Sequence, residues 1–135
     1  IVNKTKEQGY IETVTCRRRY LPSINSEDSS ESSKAERQAL NSTIQGSASD
    51  LVKNAIIKMD KNLKKFNLSQ DDCQLVLHLH DELFYEVDET KWREAIKILI
   101  TSMENCVLLR VPLEVKMKFG CNWGQMKDVD KSKFL

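Results

Sequence analysis

The sequence predicts an α+β fold in which antiparallel strands pack against amphipathic helices, in mixed order and without the strand–helix alternation of a parallel sheet. Three observations carry this. Apolar residues from Ala48 to Phe66 recur at helical spacing. Residues on either side of His80-Asp81 alternate as two strands joined by a tight acidic turn. Thr90 to about Cys106 then returns to helical spacing, before Leu113 to Phe119 alternates again as a strand.

Taken in order, Val2 to Gln8 reads as a helix stopped at Gly9. Tyr10 to Thr15 and Arg19 to Leu21 read as a hairpin with Cys16 to Arg18 at its tip, closed by Pro22. Ser23 to Ser33 has no apolar period and predicts a loop. A helix is predicted from Lys34 to about Ile44, with a break near Gln45-Gly46. A second helix starts at Ser47, where Asp50 three residues on suggests a capping box. Its stripe is Ala48, Leu51, Val52, Ala55, Ile56, Met59, Leu63 and Phe66. In the following strand Leu75, Leu77 and Leu79 should face one way and Val76, His78 and His80 the other. Ile96, Ile98, Ile100 and Met103 read as core, and Trp92 and Trp123 as packing aromatics.

Composition narrows the function classes without choosing one. The chain has 135 residues, 40% hydrophobic and 30% charged, with 4 Gly and 2 Pro, so collagen-like and linker-like readings are out. No apolar run approaches the roughly 18 to 20 residues of a membrane helix, and no membrane partner is expected. The chain opens on Ile1 in an already helical style, which reads as a cut from a longer protein. Its 21 Lys plus Arg balance 20 Asp plus Glu, so local clustering matters more than bulk charge. The cysteines at 16, 73, 106 and 121 form no CxxC pair and read as free thiols.

Several constellations could carry chemistry. A hairpin tip at His80-Asp81-Glu82 lifts a carboxylate clear of the sheet, where it can serve as half of a Mg²⁺ site; acids are also common in plain turns. Cys73, His78 and His80 offer a zinc-hydrolase alternative, with no evident fourth ligand. Arg37, Asn41 and Gln45, spaced i, i+4, i+8, share one helix face and present forked donors that suit minor-groove acceptors; a solvated helix face has the same look. Arg17, Arg18 and Arg19 at a hairpin tip suit phosphate oxygens, or are a solvated turn.

Together these pieces resemble the C-terminal part of a family A (Klenow-type) DNA polymerase. Gly9-Tyr10 to Thr13, with Arg17-Arg18-Arg19-Tyr20-Leu21-Pro22, is similar to the family's GYxxT…GRRRYLP stretch. Ala35-Glu36-Arg37 to Asn41 and Gln45-Gly46 to Asp50 match its AERxAxN…xQGxAxD block. Leu79-His80-Asp81-Glu82-Leu83 with Glu86-Val87 matches motif C. Met103-Glu104-Asn105, Val111-Pro112-Leu113 and Gly120 to Trp123 match the closing strand. Residues 9–66 would then be a fingers/palm hairpin with its helices, and residues 73–135 palm with motif C and the C-terminal strand, within a right-hand polymerase. The wording is closest to the eukaryotic theta and nu repair polymerases, which implies DNA repair or lesion bypass in the nucleus.

The resemblance implies that Asp81 holds catalytic Mg²⁺, two ions in the complete site, with Glu82 beside it and His80 near the primer terminus. It makes Arg37, Asn41 and Gln45 primer–template contacts and places Arg17, Arg18 and Arg19 near the duplex backbone. Primer–template DNA and dNTP would be the partners, and nucleotidyl transfer the reaction. Cys16 stands where the family usually has Gly, His78 where Gln is frequent, and Ser49 where Ala is usual. The family's other metal aspartate and its fingers helix do not occur in this sequence, so the isolated chain is expected to be inactive. The rival from another class is a non-catalytic DNA-binding or interaction module that keeps a polymerase-like palm.

Overall fold

The structure, a computed structural model, describes residues 1–134; Leu135, the last residue of the predicted palm segment, lies outside the described residues. The chain forms two compact units, Ile1–Leu51 and Val52–Leu135, which divide inside a long helix.

The first unit opens with helix α1, Val2–Gln8. Gly9 ends it at φ 76°, a left-handed conformation that glycine adopts without a Cβ penalty, and its amide bonds back to the Thr5 carbonyl. Strands β1 (Tyr10–Glu12) and β2 (Arg18–Tyr20) follow as an antiparallel pair, with Tyr10 opposite Tyr20 and Glu12 opposite Arg18. The arginines are therefore not all at the tip. Arg18 and Arg19 belong to β2, and the turn is Thr13 to Arg17, with Cys16 at φ 63°.

Helix α2 runs from Ser29 to Lys65, 37 residues without a break. This corrects two expectations. Asp28 caps the start: its carboxylate accepts from the Ser30 amide at 2.8 Å and its carbonyl from the Ser32 amide at 3.0 Å. Hence the Ser/Glu stretch is helical from Ser29, although it has no apolar period to reveal it. The break near Gln45-Gly46 and the capping box are absent too, because Ser47 does not cap. Its hydroxyl donates to the Thr43 carbonyl within the helix and accepts the Val14 amide of the hairpin at 2.9 Å. Ile11, Leu21, Ile24, Ala35 and Ala39 form this unit's buried core.

In the second unit, α2 buries Ala55, Met59 and Leu63 at i, i+4 and i+8, while the predicted stripe's ends, Ala48 and Phe66, are exposed. A Schellman turn ends the helix: Leu68 N–H bonds the Leu63 carbonyl, Asn67 N–H bonds Lys64, and Asn67 takes φ 58°. Strands β3 (Cys73–Leu79) and β4 (Glu82–Val87) form an antiparallel hairpin. Helix α3, Trp92–Glu104, buries Ala95, Ile96, Ile98, Leu99 and Ile100. Fully burying a side chain such as Ile100 contributes about 2–3 kcal/mol.

The alternating run from Leu113 pairs only at its end, as β5 (Lys118–Phe119) against β6 (Lys127–Asp128). Glu104 holds the preceding segment instead, accepting from the Val115 amide and from Lys131. Among the described residues the strands thus form three separate two-stranded antiparallel ladders. Trp92 packs as expected, stacked on Phe119 at 4.7 Å; Trp123 stacks on Phe84 at 4.4 Å yet stays 60% exposed.

Candidate active-site turn and nucleic-acid face

The β3–β4 hairpin reverses in two residues, His80 and Asp81, with Leu79 paired to Glu82. His80 takes φ 55°, the left-handed value that tight hairpin turns require at this point. His78 Nε2 lies 2.9 Å from the His80 carbonyl oxygen. A carbonyl can only accept, so in this contact His78 Nε2 is the donor to the turn. The result is that His80, Asp81 and Glu82 are all exposed at the end of a two-stranded ladder.

A bulge changes what lies below the turn. Leu75 pairs with Tyr85 but Leu77 pairs with Phe84, leaving Val76 extra. Paired residues share a face, so Leu75 sits on the core side with Tyr85. Leu77 and Leu79 go to the other side, with Phe84 and Glu82. The three leucines therefore do not face one way. Nothing in the sequence marks this bulge, since neither Gly nor Pro occurs in β3.

The zinc alternative fails on the same strand. Cys73 is buried at its start, roughly 23 Å of extended chain from His80. Burial pushes the Cys73 thiol up to about 11, which disfavours the thiolate that zinc needs. Among the described residues no three His, Cys, Asp or Glu side chains group as a metal site. Asp81 and Glu82 do fit Mg²⁺ as hard, solvent-facing oxygen donors, since that ion takes one or two carboxylates and fills its remaining positions with water and phosphate oxygens.

In the first unit, Arg37, Asn41 and Gln45 are all exposed on α2, among Leu40 and Ile44, which are exposed as well. The three arginines of the hairpin have intramolecular partners. Arg17 Nε donates to Asp50 Oδ1 at 2.9 Å, and its Nη2 to the Gly46 carbonyl at 3.3 Å. Arg18 Nε donates to Glu12 at 3.0 Å, and its guanidinium lies 4.5 Å from the Tyr10 ring centre. Arg19 Nη1 donates to Ser42 Oγ. Thus β1–β2 is tied to α2 at Ser42, Gly46, Ser47 and Asp50.

Asp50 is the residue that sequence reasoning missed as a partner, having cast it as a cap. It is only 6% exposed. Its carboxylate accepts hydrogen bonds from Thr13 foremost, then from Thr15 (2.8 Å) and Arg17, which outweigh burial and hold it below the usual carboxylate range.

The family model for DNA polymerase family A matches residues 1–125. DNA polymerase theta of Drosophila melanogaster is 50% identical over 133 residues, covering 96% of this chain and 6% of its own length. DNA polymerase I of Bacillus caldotenax is 40% identical over 127 residues, covering 94% of this chain and 14% of its own length. Among solved structures, the POL domain of Pol1 from M. smegmatis, in complex with DNA primer-template and dNTP, aligns with a TM-score of 0.78 and 40% identity. That alignment covers 84% of this chain and 20% of the other. This chain therefore spans only a small part of the relatives it matches.

Proposed function

This chain belongs to DNA polymerase family A, and we propose that it supplies the primer-terminus side of the palm in a template-directed DNA polymerase. The observation that supports this best is the β3–β4 turn, which presents His80, Asp81 and Glu82 to solvent in motif C order. The reaction is transfer of a nucleotidyl group from a dNTP to the primer 3′-hydroxyl. Asp81, with Glu82 beside it, would hold Mg²⁺, and the bound ions supply charge neutralisation for the attacking and leaving oxygens. Arg37, Asn41 and Gln45 would donate along the minor groove, whose purine N3 and pyrimidine O2 acceptors recur whatever the sequence. His80, fixed at the turn, would lie against the primer end.

Two ions roughly 3.5 to 4 Å apart need carboxylates from more than one strand. This chain carries Asp81 and Glu82 on one turn, so by itself it does not catalyse; the polymerase that contains it does. A role in repair or lesion bypass is favoured by the 50% identity to DNA polymerase theta of Drosophila melanogaster, although theta of Mus musculus, at 36%, is no more similar than the bacterial enzymes; a nuclear location goes with that role.

Primer extension by the full polymerase, wild type against Asp81→Ala, tests the reading. Removing a metal carboxylate should lower single-turnover extension at least about a thousand-fold, some 4 kcal/mol of transition-state stabilisation, while primer–template still binds. Equal rates would make the turn a relic and leave a DNA-binding module as the better account.

A further inference from the structure

We propose that Asp50 is a positioning residue: its hydrogen bonds to the β1–β2 hairpin keep α2 helical through residues 42–49 and so keep Arg37, Asn41 and Gln45 in one row. This rests on the reading of that row as a duplex contact. The stretch Ser42, Thr43, Ile44, Gln45, Gly46, Ser47, Ala48, Ser49 is a poor helix by composition, with one glycine and four hydroxyl residues that compete with the backbone. Two of its hydroxyls bond back to carbonyls four residues earlier, Thr43 to Ala39 and Ser47 to Thr43. A helix break is the natural outcome at Gln45-Gly46, and it would take Gln45 out of line.

What opposes the break is the hairpin, which attaches across the whole stretch. Arg19 bonds Ser42, Arg17 bonds the Gly46 carbonyl, the Val14 amide bonds Ser47, and Thr13, Thr15 and Arg17 converge on Asp50. Asp50 ends the set and is the one buried charge in it. It lies nine residues from Asn41, about 180° around the helix, so it braces the row from behind and does not touch what the row binds. Arg17 belongs to the same brace, with its Nε and Nη2 committed to Asp50 and Gly46.

The full polymerase carrying Asp50→Asn tests this. The Kd for primer–template at 25 °C should rise about 5- to 20-fold, the equivalent of one or two misplaced hydrogen bonds, with the single-turnover rate at saturating DNA held within about 2-fold. Amide exchange at residues 42–49 should quicken. Adding Ser49→Ala, which raises helix propensity without touching the hairpin, should recover at least about 3-fold of the lost affinity. Arg17→Gln should weaken binding with the salt dependence unchanged; a log–log slope shallower by about 0.9 would make Arg17 a phosphate ligand and remove it from the brace. Should Asp50→Asn fail to fold, Thr15→Val takes one bond from the same carboxylate and serves in its place. Lower thermal stability with unchanged Kd overturns the proposal, since the clamp would then be structural only. Asn41→Ala separates the two ideas: if it weakens binding and Asp50→Asn does not, positioning alone falls. If Asn41→Ala has no effect, the row is not a duplex contact and both fall.

Discussion

Gly46→Ala in α2 ought to be stabilising by helix propensity alone, since alanine exceeds glycine by about 0.8–1.0 kcal/mol in a helix interior. The structure predicts the opposite sign. A Cβ at residue 46 would stand 3.0 Å from Thr13 Cγ2 and 3.4 Å from Arg17 Nη2. The Arg17 contact, at 3.4 Å, borders on ordinary van der Waals distance and needs no movement, but Thr13 would have to give and cannot. Its hydroxyl accepts the Arg17 amide at 3.1 Å, meets the Thr15 hydroxyl at 3.2 Å, and bonds the Asp50 carboxylate. Overpacking of this kind costs about 1–3 kcal/mol. Set against the propensity gain, the net is a destabilisation of about 1 kcal/mol. Urea unfolding of the polymerase domain measures it, and the same substitution in a Thr13→Ser background isolates the cause. Serine keeps the hydroxyl and deletes the methyl, so there Gly46→Ala should stabilise by about 1 kcal/mol, a coupling of roughly 2 kcal/mol. Stabilisation by Gly46→Ala in the wild-type background would refute the reasoning, as would equal destabilisation in both.

Cys16→Gly should stabilise the hairpin by about 0.5–1 kcal/mol. Relief of a non-glycine residue at φ 63° is worth roughly 1–2 kcal/mol, reduced by glycine's extra freedom in the unfolded chain; a lower urea midpoint would contradict it. Ile100→Ala, at a fully buried position of α3, should cost about 2–5 kcal/mol in the same assay. Alkylation with iodoacetamide at pH 8 should mark the exposed Cys16 and Cys121 well before Cys73, whose thiol is buried and raised to about 11; early labelling of Cys73 would mean that the β3 end opens readily. The depressed carboxyls of Asp50, Asp72 and Asp88 contribute to the acid limb of stability, the buried Asp50 most and the exposed Asp88 least. Each binds its proton more weakly folded than unfolded, so its contribution is present above the ordinary carboxyl pKa near 3.8 and is lost as pH falls below it. Asp50→Asn should flatten that limb, and an unchanged acid transition would show that the carboxylate is not held as described.

Much of this protein is legible in its residues because the deciding interactions are local. Gly9 stops α1 because only the residues beside it determine whether φ 76° is affordable. Helix α3 declares its buried face through a period that solvent and core impose on every turn. The order of the polymerase-like blocks, with Asp81 at a two-residue turn, is likewise written in sequence, since that reversal needs no distant partner. Three features were decided only by tertiary contact. Helix α2 continues through Gly46 because a hairpin some thirty residues earlier in the chain supplies what its own residues lack. Leu77 and Leu79 turn away from the core because β4 pairs around Val76, and a strand's own alternation cannot announce a bulge in its register. The arginines of the hairpin show no partners in sequence, and the fold gives each of them one. A guanidinium's partner is chosen by which carboxylate or hydroxyl lies within 3 Å in space, and spacing along the chain does not encode that for residues so far apart.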